Sequence, residues 1–219
     1  MRLILLGPPG AGKGTQCKRI ADRYEITHLS SGDILRTERT ADSELGHKAQ
    51  SYMDSGQLVP DDVIVNMMIE AMRKAPAGYV LDGFPRTVVQ AEELDRALAE
   101  AGEEIGGIVN LQVPDEEISA RLTGRRSCPQ CGSVYHMENL KPEAEGICDR
   151  DGQAIVQRTD DKPEVVADRL KTYHEQTAAV VGYYKGRGKT VIDIDATGVI
   201  EDVTASVFSK LDALCSQVG

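Results

Sequence analysis

The stretch RLILLGPPGAGKGTQ, residues 2–16, passes from an apolar run through a glycine-rich loop into an amphipathic segment. Arg2–Leu6 is short, continuous and apolar, and it stops at Gly7. That is the mark of a strand buried on both faces in a parallel sheet. Residues 13–24, KGTQCKRIADRY, contain no proline and place apolar residues at helical spacing. Between strand and helix, Gly7, Gly10 and Gly12 let the backbone turn tightly and meet an anion with no Cβ in the way. Successive N–H groups then face inward, the helix N-terminus adds partial positive charge, and Lys13 adds a full one. Gly10, Ala11, Gly12, Lys13, Gly14 and Thr15 therefore read as a phosphate cradle. One position departs from the general pattern: Ser or Thr usually follows the lysine and meets Mg²⁺, whereas here Gly14 follows it and Thr15 comes next.

Working outward, three more apolar runs bounded by turn residues read as strands: 78–85, 105–113 and 189–194. Helical patterns separate them at 61–75, 87–102, 114–122 and 162–184, and Val203, Val207, Leu211 and Leu214 close the chain as a helix. Strands alternating with helices predict an α/β doubly wound parallel sheet with helices on both faces. Two regions break the alternation. Residues 30–60 read as short helices with glycine breaks and no strand. Residues 124–160 are rich in Gly, Pro, Cys and charge, and are long for a structureless loop. The expected division is a core of 1–29, 60–121 and 162–219, a helical insert at 30–59 and a second insert at 122–161.

The second insert carries its own signal. Three of the five cysteines, Cys128, Cys131 and Cys148, fall inside it. In an intracellular chain such a cluster favours metal over disulfide. The pattern C-x2-C…C-x2-D brings Asp151 into the set. Three thiolates and a carboxylate around one ion favour tetrahedral Zn²⁺, and four protein ligands make it structural. Asp149 and His136 are rival fourth ligands, Fe²⁺ or Co²⁺ rival ions, and a disulfide or redox pair the rival chemistry. Cys17 and Cys215 stand apart and read as small hydrophobes on helices.

Composition narrows the class. The chain has 219 residues, 41% apolar, with no Trp and two Phe. This suffices for one domain with inserts. A formal net charge of −10 leaves attraction to nucleic acid or an anionic membrane to a local patch. No apolar run approaches membrane length. A soluble cytoplasmic protein is expected.

GPPGAGKGTQ, LSSGDILR (29–36), GYVLDGFPRTVVQAEEL (78–94), GRRSCPQCGSVYH (124–136) and RTDDKPEVVADRL (158–170) together resemble adenylate kinase, in order and across nearly the whole chain. The long cysteine-bearing insert is similar to the zinc-bearing lid of long-form bacterial members. The resemblance implies reversible phosphoryl transfer between MgATP and AMP, giving two ADP, by a monomer without nucleic-acid or membrane partners. It implies that Gly10–Thr15, Arg121, Arg125, Val134, Tyr135 and Gly198 meet ATP. It assigns Ser31, Arg36, Gln57, Leu58, Val59, Gly83, Phe84, Pro85, Arg86 and Gln90 to AMP, with Arg158 and Arg169 closing on the moving phosphoryl group. Asp82 would orient waters around Mg²⁺. Lys13, Arg86, Arg125, Arg158, Arg169 and Asp82 form the implied catalytic set. Position 31 is often Thr in that family, and Ser31 keeps the hydroxyl. Competing readings are a UMP- or CMP-type sibling, a GTP-using variant, a nucleic-acid-binding ATPase reading through its zinc knuckle, and a non-catalytic nucleotide sensor.

Overall fold

The first strand decides how the sheet is covered. Strand residues point alternately to opposite faces. Along β1 (Arg2–Leu6), Leu3 and Leu5 join one apolar cluster while Ile4 and Leu6 join the other. Both faces are therefore buried, as the continuous apolar run requires. The computed structural model describes residues 1–41 and 43–216. Residue 42 of the expected helical insert and residues 217–219 of the expected core lie outside the described residues.

After β1 come α1 (Lys13–Tyr24), β2 (Thr27–Ser30), α2 (Ser31–Thr40), α3 (Glu44–Asp54), α4 (Asp61–Arg73), β3 (Tyr79–Asp82) and α5 (Val88–Glu100). Then follow β4 (Gly107–Gln112), α6 (Asp115–Thr123), β5 (Arg125–Ser127), β6 (Val134–His136), α7 (Pro163–Thr172), α8 (Ala178–Gly186), β7 (Val191–Asp195) and α9 (Ile200–Ser216). The main sheet is parallel, in the order β2-β3-β1-β4-β7. The chain places β2 and β3 on one side of β1 and then crosses to β4 on the other. A cleft forms at the carboxyl end of β1, where this order reverses. Register fixes what lies there: Leu5 pairs with Asp82, and Ser30 pairs with Asp82 from the other side.

Two expectations are corrected. Four strands were read from apolar runs, yet the described sheet has five. The missed β2 is Thr-His-Leu-Ser, whose one aliphatic residue is Leu29. It is an edge strand held by its ladder to β3, so it needs no continuous apolar run. The helix expected over 162–184 is interrupted by a π-helical turn at Tyr173–Thr177, between α7 and α8. No proline or glycine marks the break in the sequence.

The first insert is the pair α2 and α3. Their backbones meet closely: a Cβ on Gly46 would lie 2.5 Å from the Arg39 Cα. The second insert has the antiparallel pair β5–β6, with further bridges Ser127↔Val156 and Ile147↔Ala154. Its apolar centre is Cys128, Tyr135 and Cys148, flanked by Cys131 and Ile155. That is too little to fold about, while Met137, Leu140, Ile147 and Val156 stay exposed.

Candidate active site

The loop after β1 is built around its glycines. A Cβ on Gly7, at φ 137°, would lie 2.6 Å from the Leu111 carbonyl oxygen. Gly12 caps α1 in the left-handed region at φ 93°. No side chain among the described residues caps this helix, and its first turn holds no acid. Its leading N–H groups thus remain for an anion. Lys13 Nζ donates to the carbonyls of Gly7 (2.8 Å) and Pro8 (2.7 Å). Burial pushes its pKa down to about 8; Asp82 opposes this, while Arg86 and Arg169 add to it.

The loop opens into a cavity of about 1150 Å³, which brings the implied nucleotide-binding residues together. Gly10, Ala11, Gly12, Gly14 and Thr15 line it, as do Ser31, Arg36, Gln57, Leu58, Val59, Gly83, Pro85, Arg86 and Gln90. Ser31 Oγ donates to the Gly83 carbonyl (2.7 Å), and Arg86 Nε donates to the same oxygen (2.8 Å). Arg36 donates to Asp33 at 2.5 Å. Phe84 is placed differently: it is fully buried in the core cluster and does not line the cavity. Any contact it makes with a ligand is through backbone.

Arg121, Arg125, Val134, Tyr135 and Gly198 also line the cavity. Arg121 donates to the Ala196 carbonyl (2.7 Å) and pairs with Glu117. Tyr135 lines the cavity, yet its hydroxyl end points elsewhere. Its hydroxyl donates to Cys148 Sγ (3.4 Å) and accepts from the Asp149 N–H (2.9 Å), so that end serves the cysteine cluster.

The arginines crowd one another. Burial first, then Arg169, pushes the Arg86 pKa down to about 10. Burial, then Arg36 and Arg125, does the same to Arg158. Arg169 is lowered by burial ahead of its other neighbours. All stay protonated at neutral pH; burial is the main cause of the lowering, and the neighbouring arginines add to it. Arg158 Nε is buried and has no hydrogen-bond partner among the described residues.

One carboxylate organises two of these cations. Asp161 is fully buried. It accepts from Arg125 Nε (2.8 Å) and Nη2 (2.5 Å) and from Arg169 Nη1 (3.1 Å). Arg169 also donates to the Asp160 carbonyl (2.8 Å). Gln157 Nε2 donates to the carbonyls of Thr123 (3.0 Å) and Asp161 (3.2 Å), tying together both strands by which the second insert joins the core.

In that insert Cys128, Cys131, Cys148 and Asp151 offer ligand atoms within 4.8 Å of one another. Cys128 Sγ lies 3.2 Å from Asp151 Oδ2, and Cys131 Sγ lies 3.5 Å from Cys148 Sγ. Four N/O/S ligands in a tetrahedron around one ion sit about 3.3–3.8 Å apart, so the set fits a closed metal site. The rival ligands are occupied elsewhere. Asp149 Oδ1 accepts from the Glu143 N–H (2.8 Å), and His136 Nδ1 accepts from the N–H groups of Glu138 and Asn139, both at 3.2 Å. All five cysteines are free thiols.

The adenylate kinase family model matches residues 5–189. The chain belongs to the adenylate kinase family. An adenylate kinase of Lachnospira eligens is 48% identical over 213 residues, covering 96% of this chain and 100% of that one. One of Salinispora tropica is 46% identical over 221 residues and covers all of both chains. One of Archaeoglobus fulgidus is 43% identical, over 99% of this chain and 100% of that one.

Several residues of this adenylate kinase site were not read from the sequence. Asp160 and Asp161 stood inside a quoted motif, but no role was assigned to them. Cys17, on α1, packs in the apolar core, as expected of a small hydrophobe, but its thiol also lies within 4.8 Å of His28 and Asp82 ligand atoms, and His28 Nε2 is 3.2 Å from Asp82 Oδ2. Burial first, then Asp82, raises the Cys17 pKa well above the ordinary thiol value, so it stays a neutral thiol. Cys215 is exposed, contrary to the expectation of a packed hydrophobe. Among the described residues no helix is long and apolar enough to cross a membrane.

Proposed function

We propose that this cavity performs reversible transfer of the terminal phosphoryl group from MgATP to AMP, giving two ADP. The observation that carries the reading is the convergence of Lys13, Arg36, Arg86, Arg125, Arg158 and Arg169 on one cavity in a chain of net charge −10. Its volume exceeds the usual range for one small ligand, about 300–1000 Å³, and suits two nucleotides end to end. Phosphoryl transfer asks little covalent chemistry of the protein. It asks for in-line positioning and for cations around the charge that moves. Arginine serves because its planar fork grips phosphate oxygens bidentately.

In this reading Gly10–Thr15 hold the donor phosphates, and Arg121, Val134, Tyr135 and Gly198 line the donor nucleoside. Ser31, Arg36, Gln57–Val59, Gly83–Arg86 and Gln90 hold the acceptor. Arg125, Arg158 and Arg169 gather on the transferred group. Mg²⁺ bound with ATP would supply charge neutralisation at the phosphates, and Asp82, hydrogen-bonded to His28, would orient its waters. Residues 30–59 act as the acceptor-binding subdomain and 122–161 as a lid on the remaining core. A structural Zn²⁺ held by Cys128, Cys131, Cys148 and Asp151 would stiffen the lid where apolar packing cannot. Lid closure on hinges near 121–124 and 158–162 would exclude water, which otherwise accepts the phosphoryl group. A monomer in the cytoplasm, where thiols stay reduced, completes the reading.

The test is ADP production from MgATP with AMP, UMP, CMP or GMP, repeated with MgGTP as donor. Turnover with ATP and AMP alone is expected. Preference for a pyrimidine monophosphate would overturn the acceptor assignment, and no turnover would overturn the whole reading.

A further inference from the structure

Gln90 is 1% exposed, lines the cavity and is held at both ends of its amide. The Arg86 backbone N–H donates to Gln90 Oε1 at 2.7 Å. Gln90 Nε2 donates to Asp61 Oδ1 at 2.8 Å. Asp61 is the first residue of α4, and its other oxygen accepts from Thr87 Oγ1 at 3.1 Å. Thr87 in turn caps α5 by accepting from the Gln90 N–H at 3.1 Å. Two elements distant in sequence thus converge on one amide.

The geometry points to Asp61 as the residue that fixes which way the Gln90 amide faces, and so as a positioning residue that selects adenine over a 6-oxopurine in the acceptor. This rests on the proposal above that Gln90 meets the acceptor base. A primary amide has two donors and an oxygen with two lone pairs. Here one donor and one lone pair are consumed by partners that cannot exchange roles. A backbone N–H never accepts, and a carboxylate never donates. Turning the amide over would set its oxygen against the Asp61 carboxylate and its NH₂ against the Arg86 N–H. At 1% exposure, no surrounding solvent repairs that loss.

What remains free is one lone pair beside one N–H. Adenine presents the complement on its Watson–Crick edge, an amino donor beside the N1 acceptor. A 6-oxopurine presents the reverse, an O6 acceptor beside an N1–H donor. It could be met only by the inverted amide. Gln90 alone would tolerate both bases by turning over, and Asp61 with Arg86 N–H removes that freedom. This is discrimination by an unpairable alternative, which rejects more strongly than a mere gain of contact.

The experiment uses the whole chain with AMP and with IMP, which differs from AMP only at this edge. Each is measured as a substrate and as a competitor. Asp61→Asn keeps shape and can donate from its amide to an inverted Gln90. The expected result is a fall of about tenfold or more in the AMP-to-IMP ratio of kcat/KM, with turnover at saturating AMP retained. Asp61→Ala, checked for folding by thermal melt, should move the ratio in the same direction. A merely structural role would lower both substrates together. An unchanged ratio in both Asp61 variants, while Gln90→Ala collapses it, overturns the assignment to Asp61 alone. An unchanged ratio in Gln90→Ala overturns the reading of Gln90 as the base reader.

Discussion

Asp161 offers the sharpest test of how the cationic cavity is held together. It is fully buried, whereas the side chains of its partners Arg125 and Arg169 are each 17% exposed. Replacing it with Ala removes both acceptors of the Arg125 fork, while Arg169 keeps the Asp160 carbonyl at 2.8 Å and carboxylate at 3.0 Å. The loss therefore falls on Arg125. Charge-assisted hydrogen bonds contribute about 1.5–3 kcal/mol each, and removing one partner of a buried pair costs about 3–5 kcal/mol. Partial exposure of the arginines lets water recover some of this, which puts Asp161→Ala at about 3 kcal/mol. Asp161→Asn, which keeps an acceptor but not the charge, should cost about half as much. In the proposed mechanism Arg125 would also lose its fixed direction toward the transferred phosphoryl group, where a shift of about 1 Å can cost up to a hundredfold in rate. Urea denaturation would read the first effect, and kcat at saturating ATP and AMP the second. A double-mutant cycle with Arg125→Ala should show coupling of at least about 1 kcal/mol. Coupling near zero, or Asp161→Asn with unchanged stability and kcat, would refute the argument.

Three further outcomes are expected. With the Lys13 pKa lowered to about 8, the free enzyme loses this cation as pH rises through that value; a profile of kcat/KM for ATP should fall above about pH 8, and in Lys13→Met that limb should vanish along with most activity. If the proposed Zn²⁺ stiffens residues 122–161, removing it with a chelator or replacing Cys148 by Ser should lower the thermal midpoint while leaving kcat at low temperature largely intact; a metal-free protein with that insert folded and no activity would contradict this. Gly46→Ala forces a Cβ to within 2.5 Å of Arg39 backbone, so it should destabilise the α2–α3 insert by about 1–3 kcal/mol and raise KM for AMP more than for ATP, measured by initial rates with each nucleotide varied.

Much of the architecture was legible because its causes are local. The apolar run Arg2–Leu6 had to be buried on both sides, and the glycines after it could serve little but a tight anion-facing turn. The cysteine spacing identified the knuckle, though only the folded positions of Asp149 and His136 show why Asp151 completes the set. β2 escaped notice because an edge strand draws its stability from pairing with β3 and not from its own hydrophobicity. The π-helical turn at Tyr173–Thr177 escaped because nothing in its residue types breaks a helix. Asp160 and Asp161 escaped because their arginine partners lie at other positions along the chain, Arg125 36 residues and Arg169 8 residues from Asp161.

The sequence by itself pointed to four of the five strands, the glycine-rich loop after β1, the two breaks in the strand–helix alternation and seven of the cavity's cations, Lys13, Arg36, Arg86, Arg121, Arg125, Arg158 and Arg169. These follow from hydrophobic period, backbone freedom and motif spacing, which act over a few residues. Only the tertiary structure decided which carboxylates the polar side chains of the site answer to. Asp161 meets Arg125 across 36 positions, Asp61 meets Gln90 across 29 and Asp82 meets His28 across 54. A side chain's charge is written in the sequence, but whether it is solvated or locked against one partner depends on burial and distance, and those exist only once the chain has folded.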